Sequence, residues 1–245
     1  AYADQIANLF LDELIKNGTT SVMTFCTSFK QSVEAFFNAA ENRNLRMVAG
    51  KVMMDRHAPD ELCDNPDNSY SDSKELIEKW HNKGRLRYAV TPRFAPTSSS
   101  SQLNQAARLL NEYPSDDQTK GVLLQTHLNE NDEEIAWVND LFPDSNSYFG
   151  VYEDHGITGN RSVFGHCIHN TEEEYQRMAK TGSKVSLCPT SNLFLGSGLF
   201  ELEKLESYGI DVSLASDVGG GDSFSMFKVM NEAYKICRLN DFNLD

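Results

Sequence analysis

The chain is 245 residues long, enough for one large α/β domain, and its 40% hydrophobic and 24% charged residues fit a globular protein with a sizeable core. Thirty-six acidic residues against 22 basic ones give a formal net charge of −14, which repels nucleic-acid phosphates and anionic lipid and argues against both as partners. No apolar run reaches the roughly 20 residues that a membrane helix needs. Five cysteines without a C-x-x-C pair fit reduced thiols, so the cytoplasm is the expected location.

In chain order, Ala3, Ala7, Phe10 and Leu14 share one helical face, and Gly18 ends that helix. Thr19–Phe25 reads as a strand, Val33–Ala40 as a helix and Leu45–Met54 as a second strand. A polar loop over Asp55–Tyr70 leads to a helix around Leu76–Trp80 and the strand Leu86–Val90. The Ser-rich Thr97–Ser101 caps a helix over Gln102–Leu110, followed by strand Gly121–Thr126 and helix Glu133–Leu141. Strand Ser162–Gly165, helix Glu172–Ala179, strand Lys184–Leu187, helix Leu199–Tyr208, strand Asp211–Ala215 and a helix from Ser223 complete the series.

Strict strand–helix alternation predicts βα units around a parallel sheet. The series begins with a helix and has seven strands to eight helices, so the expectation is an α/β (β/α)8 TIM-type barrel lacking its first strand. Residues 1–245 then form one partial barrel domain, from the helix flanking strand 2 through helix 8. A doubly wound sheet would carry a Gly-rich loop after its first strand, where this chain has Phe25-Cys26-Thr27-Ser28.

Barrel active sites lie at the C-terminal ends of the strands. Read there, the sequence delivers Arg93 and Phe94 in Thr91-Pro92-Arg93-Phe94, His127 with Glu130 one turn on, then His166, then Asp217 after Ser216. Two imidazoles and a carboxylate on one rim suit Zn²⁺ or Fe²⁺, which lowers the pKa of a bound water to give a nucleophile near neutral pH. His127 and Asp217 are the candidate ligands, and His166 either joins them or holds the water. Glu130 is placed to carry protons without binding metal. A catalytic zinc usually takes three protein ligands, and no His-x-His pair occurs in the chain; the absent strand is where one is expected.

Blander readings compete. His127 alone could be a core histidine, and it is the company of Glu130, His166 and Asp217 that lowers the odds. His169 reads as a loop or helix-start residue; His57, His81 and His155 read as solvated. Arg93, between a proline and an aromatic, reads as part of a rigid, half-buried rim segment. Gly219-Gly220-Gly221 after Asp217 points to a close backbone approach. Gly196-Ser197-Gly198 lacks the spacing of a serine-hydrolase elbow.

Taken together, Asn17-Gly18-Thr19-Thr20, the segment from Gly50 to Asp55, Pro92-Arg93-Phe94, Thr126-His127-Leu128-Asn129-Glu130, Gly165-His166, the stretch from Cys188 to Gly198 and Ser216-Asp217-Val218-Gly219-Gly220-Gly221 carry a resemblance over nearly the whole chain. The sequence resembles the bacterial guanine deaminases of the amidohydrolase superfamily. That resemblance implies a zinc-dependent hydrolase in which His127 and Asp217 bind the metal with a His-x-His pair from the first strand. It further implies that His166 orients the water, that Glu130 shuttles protons, and that Arg93 and Phe94 hold the guanine. Attack at C2 releases ammonia and gives xanthine. A homodimer is implied for the full-length protein. The His-x-His pair and the segment that completes a small C-terminal β-sandwich are missing, so the isolated chain is expected to be weakly folded and inactive. Two rival readings are another amidohydrolase acting on adenosine-type nucleosides or triazines, and a non-catalytic scaffold of the same descent.

Overall fold

In a computed structural model, which describes residues 2–114 and 120–242, the chain divides into two compact units. The first comprises residues 1–126 with 155–157, the second 127–154 with 158–245.

The first unit holds helices α1 (Tyr2–Lys16), α2 (Lys30–Asn42), α3 (Pro66–Trp80) and α4 (Ser100–Glu112), interleaved with strands β1 (Ser21–Phe25), β2 (Arg46–Gly50), β3 (Val52–Met53) and β4 (Arg87–Pro92). All pairings are parallel: Ser21 opposite Arg46, Val48 opposite Arg87, Val52 opposite Thr91, and Ala89 opposite Leu123 of β5 (Leu123–Leu128). The helices bury one stripe each. Leu11 and Leu14 of α1 and Phe36 and Phe37 of α2 are buried, the Phe10 and Phe36 rings lie 6.3 Å apart between these helices, and the Phe37 ring stacks 5.6 Å from Trp80 of α3.

Two departures from the sequence reading occur here. The strand expected over Leu45–Met54 breaks at Lys51, which is 1% exposed and ion-pairs through Nζ with Asp64 Oδ2 at 2.5 Å. A buried ammonium must be paired, so the strand yields at this point to let Lys51 reach across the following loop. Helix α3 also begins ten residues before Leu76, inside the expected polar loop: Asn65 caps it by accepting from Asn68 N at 2.8 Å, and Pro66 occupies its first turn.

The second unit has strands β6 (Ser162–His166), β7 (Lys184–Leu187) and β8 (Val212–Leu214), again parallel, with Val163 opposite Lys184 and Val185 opposite Val212. Its helices are α5 (Asp132–Leu141), α6 (Tyr148–Asp154), α7 (Glu172–Thr181), α8 (Pro189–Leu195), α9 (Leu202–Ser207) and α10 (Met226–Leu239). Phe149 and Tyr152 of α6 bury against Phe164 of β6, with ring centroids 5.4 and 5.6 Å apart. Helices α6 and α8 were not expected from the sequence. Among the described residues no helix is long and apolar enough to cross a membrane.

Candidate active site

The second unit opens with the last two residues of β5, His127 and Leu128. Tyr152 donates its hydroxyl to the His127 carbonyl at 2.8 Å, and the Leu128 carbonyl accepts from Cys167 N at 2.9 Å. Beyond the strand, Asn129 turns the chain in the left-handed region at φ 49°. An L-residue held there stores strain that its surroundings must offset. Its side-chain amide donates to Asn170 Oδ1 at 2.7 Å and to Glu174 Oε2 at 3.0 Å, and its carbonyl accepts from Ile168 N and His169 N. Glu130 follows directly from this clamped turn.

His166, at the end of β6, has φ 70° and is 2% exposed. Its ring stacks against that of His127 with centroids 5.2 Å apart. Nδ1 lies 2.9 Å from Asn192 Oδ1. An amide oxygen only accepts, so Nδ1 carries the proton and Nε2 is directed at the site. That Nε2 is 3.6 Å from Glu130 Oε2. Burial opposes a charge on this imidazole, but Cys188, Glu130 and Asn192 outweigh it and raise its pKa to about 10. The surroundings of His166 therefore favour positive charge.

Asp217 also sits in the left-handed region, at φ 44°. The glycines after it are required by contact: a Cβ on Gly220 would lie 2.8 Å from Asp217 Oδ2 and from Ser191 Oγ, and one on Gly221 would lie 2.2 Å from the Ser216 carbonyl. Ligand atoms of His166, Cys188 and Asp217 all fall within 4.8 Å of one another. A nitrogen, a sulfur and a carboxylate oxygen at that spacing fit a divalent cation of the Zn²⁺ or Fe²⁺ type.

The structure thus gathers His127, Glu130 and Asp217 around His166, all in the second unit. Cys188 was not among the sequence candidates, although the same signal points to it, since it is the first residue after β7 and is 5% exposed. Asn192 carried no signal, because what matters is its amide on the fully buried first turns of a seven-residue helix.

Arg93 and Phe94 belong to the first unit. Arg93 N donates to Met53 O at 3.2 Å and Arg93 O accepts from Thr126 Oγ1 at 3.2 Å, so the backbone is fixed as expected. The half-buried expectation needs correction for Arg93. Its side chain is exposed, and its guanidinium carbon rests 4.5 Å from the Phe94 ring centroid. His81 also departs from its solvated reading: Nε2 meets Lys120 O at 2.7 Å and Nδ1 accepts from Tyr88 N at 3.0 Å. His57 is exposed, with Nδ1 2.8 Å from Pro96 O, and His155 is half-buried.

The model of the family described as "Amidohydrolase family" matches residues 1–244. The chain belongs to the amidohydrolase family. It is 49% identical to guanine deaminase of Escherichia coli over 243 residues, 99% of this chain and 54% of that protein. It is 43% identical to a probable guanine deaminase of Deinococcus radiodurans over 98% of this chain and 53% of that protein. Among solved structures, E. coli guanine deaminase superposes with a TM-score of 0.96, covering 99% of this chain and 56% of that one. Guanine deaminase from C. acetobutylicum with bound guanine in the active site superposes at 0.92 with 35% identity, covering 98% of this chain and 56% of that one. This amidohydrolase chain spans about half the length of the relatives it matches. Its parallel strands and interleaved helices are part of the TIM-type fold of the family, as the alternation in the sequence predicted.

Proposed function

We propose that this chain is part of a guanine deaminase, which converts guanine and water to xanthine and ammonia. The observation that carries this reading is the grouping of His127, Glu130 and Asp217 around one buried imidazole, His166. The likeness to guanine deaminases along 99% of the chain supports the choice of substrate.

His127 and Asp217 are the residues to hold a Zn²⁺ or Fe²⁺ ion, with His166 as a further ligand or as the group that holds the water. When bound, the metal supplies a nucleophilic hydroxide near neutral pH. The residues of this chain do the rest. Asp217 accepts the proton of the attacking water. His166, with Nδ1–H committed to Asn192, directs Nε2 at the site, towards the cation or the water. Glu130 carries one proton of the attacking water to the ring nitrogen beside C2 and the other, passed on from Asp217, to the departing amine, which leaves as ammonia. Arg93 donates to the polar edge of the base and Phe94 packs on its face. Adenine presents a donor where guanine presents a carbonyl, so the arginine selects between them.

Assay of the full-length protein against guanine, adenine, cytosine and melamine tests the reading, with bound metal quantified in the same preparation. Guanine alone should be turned over. Asp217→Asn should weaken metal binding by more than the roughly 10–100-fold that a change outside the ligand set costs. A fully metal-loaded protein that leaves guanine untouched refutes the proposal, and turnover of melamine or adenine instead favours the other amidohydrolase chemistry.

A further inference from the structure

Two motifs of the sequence remain without a role: the Gly196-Ser197-Gly198 turn and His169. The structure joins them. Helix α8 ends at Gly196 in the left-handed region at φ 75°, which turns the chain back so that Ser197 N donates to Asn192 O at 2.9 Å. Ser197 Oγ then lies 3.3 Å from Glu130 Oε1 and donates to it. The Ser197 carbonyl accepts from His169 Nε2 at 2.7 Å, and His169 Nδ1 stands 3.7 Å from Asp132 Oδ1. Gly198 seals the contact: a Cβ there would come within 3.0 Å of Ile168 Cγ2 and 3.2 Å of the His169 ring. One residue, Asn192, holds both sides of the site, its backbone oxygen taking Ser197 N and its side-chain oxygen taking His166 Nδ1.

The two oxygens of Glu130 consequently differ. Oε1 is engaged by the serine hydroxyl, while Oε2 faces His166 Nε2 at 3.6 Å. We propose that Ser197 is a positioning residue that fixes the rotamer of Glu130 and reserves Oε2 as the oxygen that exchanges protons with the substrate, and that His169 holds Ser197 in place through its carbonyl. The inference rests on the reading of Glu130 as the proton carrier. A carboxylate that must first give and then retake a proton works best from one orientation, and a donor on the other oxygen makes that oxygen the less basic of the two. When Oε2 is protonated, Oε1 still accepts from Ser197, so the contact survives both states of the cycle.

The test uses the full-length protein and guanine. Ser197→Ala should lower kcat about tenfold with KM within about twofold, and Ser197→Thr, which keeps the hydroxyl, should restore most of the loss. In a Glu130→Gln background the same Ser197→Ala change should do nothing further, because the two residues act as a unit. His169→Phe removes the donor to the Ser197 carbonyl and should lower kcat in the wild-type background but not in Ser197→Ala; it serves if Ser197→Ala fails to fold. An unchanged kcat in Ser197→Ala, a loss confined to KM, or a threonine no better than alanine overturns the proposal. Full activity in Glu130→Gln alone sinks the reading beneath it, and so separates the two failures.

Discussion

Arg93 is exposed while its backbone is tied on both sides, to Met53 and to Thr126. Its guanidinium lies on the face of Phe94, which limits the rotamers of both without burying the charge. On the proposed reading, such an arginine serves recognition far more than stability. Arg93→Ala should therefore leave the unfolding midpoint of the full-length protein nearly unchanged and lower kcat/KM for guanine by about 10–100-fold, the value of a hydrogen bond to a charged donor. Lysine should rescue poorly, since it lacks the planar fork. Equal losses for guanine and for a purine without the 6-carbonyl would show that Arg93 does not read that edge. At this scale the sequence was informative where an ionisable residue stands at or just beyond a strand end: His127, His166 and Asp217 were legible as candidates for that reason. Ser197 and Asn192 were not. Each acts through a turn or a short helix whose direction is set by tertiary contacts, so no local pattern marks them.

Among the elements, the break between β2 and β3 shows what a buried charge demands. Lys51 is 1% exposed and Asp64 18% exposed by side chain, with Ser69 Oγ adding a 3.3 Å contact to the carboxylate. Lys51→Met removes one partner and leaves a half-buried carboxylate facing apolar surface. We expect a loss of about 3 kcal/mol, the lower end for a broken buried pair because Asp64 retains some water, read as a shift in the urea midpoint. A change below about 1 kcal/mol would mean that the pair is better solvated than its burial indicates. Helices α3 and α4 are joined at their surface by a second charged cluster. Tyr70 donates to Glu112 at 2.6 Å, and Arg108 and Lys74 contact the same carboxylate at 2.7 and 3.2 Å. The hydrogen bond from Tyr70, with those of Arg108 and Lys74, holds the Glu112 carboxyl down at about 2, against an ordinary 4.5. A carboxyl depressed in the folded state stabilises the fold fully above its ordinary value and loses that contribution as pH falls through the depressed one. The stability gap between the wild type and Glu112→Gln should thus be constant above pH 4.5 and close towards pH 2. A gap that widens on acidification would reverse the sign and remove the argument. The elements that sequence reasoning missed share a cause. Helices α6 and α8 are seven residues each, too short to show a helical period, and the first turns of α3 are polar. For α3 the signal lay in its start, Asn65-Pro66-Asp67, rather than in its periodicity.

For the molecule as a whole, alternation of element type was the most legible property, because a run of βα units admits few folds and the order of apolar segments records it directly. Net charge is legible too, and it bears on kinetics. A chain with 36 acidic and 22 basic residues surrounds itself with a negative potential that concentrates cations and disfavours phosphorylated ligands. Guanine, however, is uncharged near neutral pH, so that field neither draws it in nor turns it away. If the free base is the substrate, kcat/KM of the full-length protein should vary by less than about twofold between about 0.01 M and 1 M salt, a range over which the screening length shrinks from about 30 Å to about 3 Å. A phosphorylated guanine compound should behave in the opposite way. Its weak inhibition should strengthen with salt as the repulsion between its phosphate and the acidic surface is screened, and the two curves can be measured in the same assay. A steep salt dependence for guanine itself would mean that a charged species is the true ligand, and the assignment of Arg93 to a neutral carbonyl edge would then have to give way to one in which it meets an anion.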